Sequence, residues 1–110
     1  MRTMAYAVGQ VVEVCLEFDL PLAQGVRFVV ATFENERGDV VELTDVPAGV
    51  SECFLQKPTQ TALQGRASHP GLYELKRLRV EHLRGVTYVD PPCIGFEVRS
   101  TPEVVGWRLS

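Results

Sequence analysis

The residues Val12-Glu13-Val14-Cys15-Leu16-Glu17-Phe18-Asp19-Leu20 indicate the fold class, because every second one is apolar and most of the others are acidic. Successive side chains of a β-strand point to opposite faces of the sheet. The pattern therefore predicts a strand with one face on a core and the other in water. Pro21 ends this strand.

Further strands are predicted between turns that contain glycine and proline. A strand from about Gly25 to Glu34 forms a hairpin with Val40–Leu43, and Gly38 in the turn between them can adopt a positive φ. Other apolar or alternating segments are Val50–Gln56, Thr61–Ala67, Leu72–Glu81, Val86–Val89, Ile94–Arg99 and Val104–Leu109. The assignment between residues 44 and 68 stays open. About seven or eight short antiparallel strands predict an all-β, two-sheet β-sandwich.

The segment at 72–81 allows two interpretations. Its four apolar core candidates divide between the two phases of a strand, and a β-bulge near Lys76-Arg77 would bring all four to one face. These candidates are Tyr73, Leu75, Leu78 and Val80. The rival is a helix, because leucines at positions 72, 75 and 78 also fit helical spacing. The turn at Pro70-Gly71 and the β-branched residues that follow the segment favour the strand.

The predicted core combines the apolar positions of these strands. It consists of Val14, Leu16, Phe18, Phe28, Val30, Tyr73, Leu75, Val80, Phe96 and Val98. The C-terminal segment 101–110 follows the last predicted core strand and is too apolar for a frayed end. We expect it to act as a C-terminal strand that is packed on its own sheet or exchanged with a neighbouring molecule.

Length and charge restrict the class of protein. With 110 residues, the chain is predicted to form a single domain, 1–110. The formal net charge of −3 argues against a dedicated nucleic-acid-binding protein, which is usually basic. No segment approaches the roughly 20 apolar residues of a membrane helix, and the N-terminus lacks the apolar run of a signal peptide. These features predict a cytoplasmic protein without membrane insertion.

The chain has three cysteines, Cys15, Cys53 and Cys93. A secreted disulfide framework normally uses an even number of cysteines. We therefore expect three reduced thiols that pack as small apolar residues, with a buried disulfide between two of them as the alternative.

Three local motifs resemble those of bacterial immunoglobulin-like domains. They are Gly9-Gln10-Val11-Val12-Glu13-Val14, Pro70-Gly71-Leu72-Tyr73-Glu74-Leu75 and Gly95-Phe96-Glu97-Val98. In this order, with a tail that ends near Trp107, they most resemble the C-terminal domain of the Wzt-type ATPases of O-antigen ABC exporters. The resemblance implies a bacterial, immunoglobulin-like β-sandwich that binds the end of an exported polysaccharide and forms a homodimer by exchange of its last strand. The chain departs from that family in having no ATPase domain and a more basic stretch at Lys76-Arg77-Leu78-Arg79.

The sequence offers no set of residues suited to catalysis or metal binding. Its two histidines, His69 and His82, do not have the spacing of zinc ligands, and no Gly-x-Ser-x-Gly motif is present. We therefore expect a protein that is not an enzyme and that uses no metal or other cofactor.

The candidate ligand-binding residues come from a basic cluster and from isolated aromatic residues. The cluster is Arg66, Lys76, Arg77, Arg79 and Arg84, and the aromatic candidates are Tyr6, Tyr88 and Trp107. Glutamates interspersed in the cluster are typical of a solvated strand face. The alternative for the cluster is an anion or acidic-sugar site. A flat aromatic ring can stack on a sugar, and the alternative for the aromatic residues is packing in the core or at an interface. The predicted binding residues are Tyr88, Trp107, Arg77 and Arg79.

The leading hypothesis is a non-catalytic carbohydrate (polysaccharide)-binding module that acts with a partner. The alternative is an immunoglobulin-like protein–protein interaction or assembly domain without a small ligand. In either case we expect a homodimer whose partners are a saccharide or another protein, and not nucleic acid. A small enzyme is the third class, and the sequence offers no catalytic residues for it.

Overall fold

The computed structural model describes residues 4–22, 26–47 and 58–110, and all regular structure in these ranges is β-strand. The strands are β1 (Met4–Ala7), β2 (Val11–Glu17), β3 (Val26–Glu34), β4 (Val40–Asp45), β5 (Gln60–Arg66), β6 (Gly71–His82), β7 (Gly85–Val89) and β8 (Gly95–Arg99). They contain 59% of the described residues, so the predicted all-β class is confirmed. The strand predicted at Val50–Gln56 lies outside the described residues.

The eight strands form one continuous sheet in the order β1-β8-β6-β3-β4-β5-β2, with β7 paired to β6 beside β8. Only the β1–β8 pair is parallel among the described strands. Strand β4 joins the two halves of the sheet, because it pairs with β3 along its length and with β5 through Thr44 and Asp45. The sheet curls into a nearly closed, barrel-like shape.

A β-bulge in β6 aligns its apolar residues on one face. Thr32 of β3 pairs with Arg77, and the next residue, Phe33, pairs with Leu75, so Lys76 is the additional residue. Tyr73 and Leu75 before the bulge are buried together with Leu78 and Val80 after it. The predicted bulge near Lys76-Arg77 is confirmed, and the helical alternative for this segment is wrong.

The curled sheet encloses one apolar core. Its buried residues are Val12, Val29, Ala31, Phe33, Val41, Leu43, Leu63, Ala67, Tyr73, Leu75, Leu78, Val80, Phe96 and Val98. Phe96 holds a central position, because its ring lies 5.2 Å from that of Tyr73, 4.9 Å from that of Phe33 and 5.9 Å from that of Tyr6. Half-buried Val14, Leu16 and Phe18 pack against this core. Aromatic contacts therefore link β1, β3, β6 and β8.

The predicted burial of Phe28 is wrong, since this residue is 51% exposed. The inward residues of β3 are Val29, Ala31 and Phe33, while Val30 is buried but lies outside the core cluster. The run Phe28-Val29-Val30-Ala31 is apolar without interruption, so it carries no alternation from which the inward phase can be read. The register also shifts between Val26 and Phe28, where Arg27 is the additional residue of β3.

The β3–β4 turn is fastened to the corner that precedes β6 by the buried side chain of Asn35. The Asn35 amide donates to the Asp39 carboxylate at 3.0 Å and to the Pro70 carbonyl at 3.3 Å, and its oxygen accepts from the backbone N–H of Arg37. Gly71 is required at this contact, because it has a φ of 150° and an added Cβ would lie 2.7 Å from Asn35 Nδ2. These bonds fix where β6 begins.

A second fastening comes from Glu36, whose carboxylate accepts the backbone N–H of Leu72 at 3.0 Å. Backbone hydrogen bonds from its own N–H and from Leu72 lower the pKa of the Glu36 carboxyl below its ordinary value. The charged form of Glu36 therefore holds the first residues of β6 against the β3–β4 turn.

Residues 101–110 follow β8 as an exposed segment that pairs with no described strand. We call this segment the tail. Its four large apolar residues are between 81% and 97% exposed, and they are Val104, Val105, Trp107 and Leu109. The base of the tail is held by an ion pair between Arg99 Nη1 and Glu103 Oε2 at 3.2 Å. No helix in the described part of the chain is long and apolar enough to cross a membrane.

The state of the cysteines differs from the prediction of three reduced thiols. Cys15 is disulfide-bonded, so the prediction of three reduced thiols is wrong for this residue. Cys93 is free and exposed, whereas Cys53 lies outside the described residues. An odd number of cysteines therefore does not exclude a disulfide.

Candidate functional site

The outward residues of β7, β6, β3 and β4 lie on one side of the sheet, which we call the outer face, and Val30 in its middle is buried. Directly paired residues of neighbouring strands lie on the same side of a sheet. Arg79 of β6 pairs with Tyr88 of β7 and with Val30 of β3, and Val30 pairs with Thr44 of β4. The exposed or half-buried residues of the outer face are Phe28, Thr32, Glu42, Thr44, Arg77, Arg79, Glu81, Val86 and Tyr88.

Arg77 and Tyr88 form a cation–π contact at one side of the outer face. The guanidinium carbon of Arg77 lies over the Tyr88 ring, 5.5 Å from the ring centroid. Tyr88 is nevertheless 61% exposed. The contact orients an aromatic ring while leaving most of the residue accessible to a ligand.

Arg79 lies beside this pair, but two carboxylates engage its charge. Its Nε donates to Glu81 Oε1 at 3.1 Å, and its Nη1 lies 4.0 Å from Glu42 Oε1. The three residues come from neighbouring positions on β6 and β4, and the guanidinium bridges the strand between them. Arg79 is therefore a fixed polar group of the outer face.

Two exposed apolar residues extend the outer face beyond Tyr88. Phe28 of β3 and Val86 of β7 both pair with Glu81, so the three side chains form a row across the sheet. Together with Tyr88 they give this surface apolar contact area next to its arginines. Val86 and Tyr88 are neighbours on the outward side of β7, whereas Glu81 lies between Val86 and Phe28.

The structure brings three of the four predicted binding residues together and leaves the fourth apart. Tyr88, Arg77 and Arg79 share the outer face, whereas Trp107 lies on the exposed tail. Tyr6, another aromatic candidate, packs edge-on against Phe96 and belongs to the border of the core. Of the basic cluster, Arg66 donates to the Gly9 carbonyl at 2.7 Å and so fastens β5 to the β1–β2 turn.

Sequence analysis missed the contribution of β3 and β4 to this surface. The apolar pattern of β3 predicts a core position for Phe28, and no sequence pattern marks Thr32 or Thr44 as part of a site. An alternation of apolar and polar residues in β3 would indicate which side chains point outward. The strand instead contains an uninterrupted apolar run, so its sequence does not show the outward positions. Only the register of β3 against β6 shows that Thr32 and Phe28 accompany the arginines.

Among the described residues, no group of three or more His, Cys, Asp or Glu side chains could hold a metal ion. A cleft lined by Tyr6, Ala7, Arg99, Pro102 and Val105 lies at the base of the tail. The outer face, by comparison, is a sheet surface rather than a cavity.

Comparisons with protein-family models, curated proteins and solved structures found no match to this chain. The fold and the site therefore define a class only: an all-β protein whose curled sheet exposes an aromatic and cationic outer face.

Proposed function

We propose that this chain is a non-catalytic carbohydrate-binding β-sandwich module that acts with a partner, and that the saccharide lies on the outer face. The observation that supports this proposal is the contact between Arg77 and Tyr88, in which a cation lies over the ring of a residue that remains 61% exposed. An oriented aromatic ring can stack on the apolar face of a pyranose with little loss of side-chain entropy. The arginines and threonines of the same face would hydrogen-bond the sugar hydroxyls.

The strand pairing supports the proposal that the fold is an immunoglobulin-like sandwich. Pairing of β2 with β5 and of β6 with both β3 and β8 matches the pairings B–E, C–F and F–G of that fold. The Tyr73 hydroxyl donates to the His69 carbonyl four residues earlier, as in the tyrosine corner of immunoglobulin-like domains. In such a sandwich, β4 would be the strand that connects the two sheets at their edge.

A bacterial role in polysaccharide export is the context that the three sequence motifs imply, and we retain it as part of the proposal. The cytoplasmic location predicted from the sequence has less support, because disulfides such as that of Cys15 persist mainly in oxidising compartments.

A second candidate function, assembly through protein–protein contact, is favoured by the tail. Four apolar residues that are at least 81% exposed within one short segment leave a large apolar surface in water. We propose that the tail pairs with a sheet edge of a second copy, so that two chains exchange identical segments in a homodimer. Such an exchange is a low-cost route to a two-fold dimer, and Pro102 supplies a stiff residue at the start of the segment.

A glycan array with the complete chain tests the carbohydrate proposal. We expect binding of a defined saccharide with micromolar affinity, and a loss of about tenfold or more in Tyr88→Ala, equivalent to at least about 1.4 kcal/mol. Leu20→Ala is the matched control, because it removes an exposed apolar side chain outside the outer face.

Absence of binding to every saccharide on the array, together with a stable dimer in light scattering, would favour the assembly function instead. Equal affinities of wild type and Tyr88→Ala would place the saccharide elsewhere on the molecule. Melting temperatures of both variants, compared with wild type, establish that each has folded.

A further inference from the structure

We infer that the saccharide recognised by the outer face is acidic, and that Arg77 binds its carboxylate. This inference rests on the proposed carbohydrate-binding function and specifies the class of ligand. It follows from how the charges of the outer face are paired.

The central outer face carries four charged residues, and one of them has no partner of opposite charge. The four are Arg77, Arg79, Glu42 and Glu81. Arg79 is engaged by Glu81 at 3.1 Å and by Glu42 at 4.0 Å, so both carboxylates are directed to one guanidinium. Arg77 forms no ion pair with any other described residue, and its guanidinium lies over the Tyr88 ring. One uncompensated cation is thus left beside the exposed aromatic ring.

The hydrogen-bonding capacity of the Arg77 guanidinium is available to a ligand. None of its five N–H donors bonds to another described residue, although the group lies over the Tyr88 ring. Planar paired donors fit the two oxygens of a carboxylate. An acidic sugar bound against Tyr88 would therefore have its carboxylate within the same site as the Arg77 guanidinium.

The acidic residues of the outer face make one end of it unfavourable for a negatively charged ligand. Glu42 lies two strands away from Arg77 across Thr32, which corresponds to roughly 9–10 Å at ordinary strand spacing. Glu81 lies on the far side of Arg79. A carboxylate is attracted at the Arg77 end of the outer face and disfavoured at Glu81 and Glu42.

The charge of the whole molecule excludes a less specific explanation of such binding. The formal net charge is −3, so the chain as a whole repels a polyanion. Preference for an acidic saccharide would have to arise locally, and among the outer-face cations only Arg77 lacks a carboxylate partner within the described residues.

Paired probes that differ only in charge test this inference. We would measure binding of oligogalacturonate trimers and of their methyl esters, which keep the sugar rings but lose the negative charge, by calorimetry with the complete chain. We expect wild type to bind the acid form about tenfold more tightly, in the range of a charge-assisted hydrogen-bonded pair. Arg77→Gln should remove that preference.

Arg84→Gln provides the matched control. Arg84 is exposed in the β6–β7 turn, and its replacement changes the net charge by the same amount as Arg77→Gln. We expect Arg84→Gln to retain the preference for the acid form, whereas Tyr88→Ala should weaken both forms. Equal melting temperatures of the variants and wild type would establish that all have folded.

The outcomes separate this inference from the proposed function. Equal binding of the acid and the ester, with both dependent on Tyr88, would overturn the acidic-ligand inference and leave the carbohydrate function standing. A preference that survives Arg77→Gln would also overturn it. Failure of both trimers to bind would overturn the inference, whereas the carbohydrate function would fall only if the neutral saccharides of the array also failed.

Discussion

The Tyr73 hydroxyl donates a hydrogen bond of 2.7 Å to the backbone carbonyl of His69. The ring of Tyr73 stacks on Phe96 with an angle of 13° between the planes, so the same residue joins the β5–β6 corner to the core. Because the corner sets where β6 begins, this bond also influences the position of the arginines further along β6.

Tyr73→Phe should destabilise the protein by about 1 kcal/mol, because it removes one hydrogen bond but keeps the stacked ring. The free energy of unfolding from urea titration measures the effect. Tyr88→Phe removes a hydroxyl from an exposed tyrosine and serves as the control, for which we expect almost no change. Equal effects of the two substitutions would show that the His69 bond contributes nothing specific.

Alkaline pH should destabilise the wild type partly through Tyr73. Burial raises the pKa of its hydroxyl above the ordinary value of 10.0, and the nearby Asp39 carboxylate raises it further. A raised pKa in the folded state gives stability that is fully present below the unfolded value and is lost as pH rises through the folded value. Unfolding free energies measured between neutral pH and pH above 10 should therefore fall less in Tyr73→Phe than in Tyr88→Phe.

Phe33→Ala and Phe28→Ala should differ strongly although both residues belong to β3. Phe33 is completely buried, so its truncation should cost about 3–5 kcal/mol. Phe28 is half exposed, and its truncation should cost less than about 1 kcal/mol. Chemical denaturation of both variants measures the difference. A large loss in Phe28→Ala would mean that the strand presents the opposite phase to the core.

The cysteines should differ in reactivity in the absence of a reducing agent. Cys93 is a free thiol and should be alkylated in the denatured protein, whereas disulfide-bonded Cys15 should be alkylated only after reduction. Peptide mapping by mass spectrometry distinguishes the two sites and identifies the partner of Cys15. Labelling of Cys15 before reduction would contradict the disulfide.

Deletion of residues 101–110 should convert a homodimer into a monomer if the tail is exchanged between two copies. Light scattering of the complete and truncated chains measures the mass of each. Replacement of both Val105 and Trp107 by serine is the second variant, because it keeps the chain length while removing apolar side chains that are 97% and 81% exposed. A monomeric complete chain, or a truncated chain that stays dimeric, would rule the exchange out.

Local alternation in the sequence was sufficient to predict most strands. Strand β6 is the strongest case, because the change of phase between Leu75 and Leu78 predicts a bulge that the pairing of Phe33 with Leu75 confirms. Strand β8 was predicted in the same way from its alternating apolar residues. Each of these features depends only on residues within one strand, where neighbouring side chains must point to opposite faces.

Part of the candidate site was also accessible from residue type alone. Tyr88, Arg77 and Arg79 were selected as an exposed aromatic and two cations, and they share the outer face. Trp107 was selected on the same grounds but lies on the tail. The sequence carries no information on the distance between residues of different strands, so it could not separate these two cases.

The sequence by itself determined the β-class, the approximate strands and the bulge. Neighbouring side chains of a strand face opposite sides, so the order of apolar and polar residues within one strand is enough to show these features. The tertiary structure decided the inward phase of β3, the parallel pairing of β1 with β8 and the contact of Arg77 with Tyr88. An uninterrupted apolar run fits either phase, and the pairing of strands depends on contacts between residues far apart in the chain. Packing against β6 selects one phase and one register, and so decides which side chains remain on the outer face.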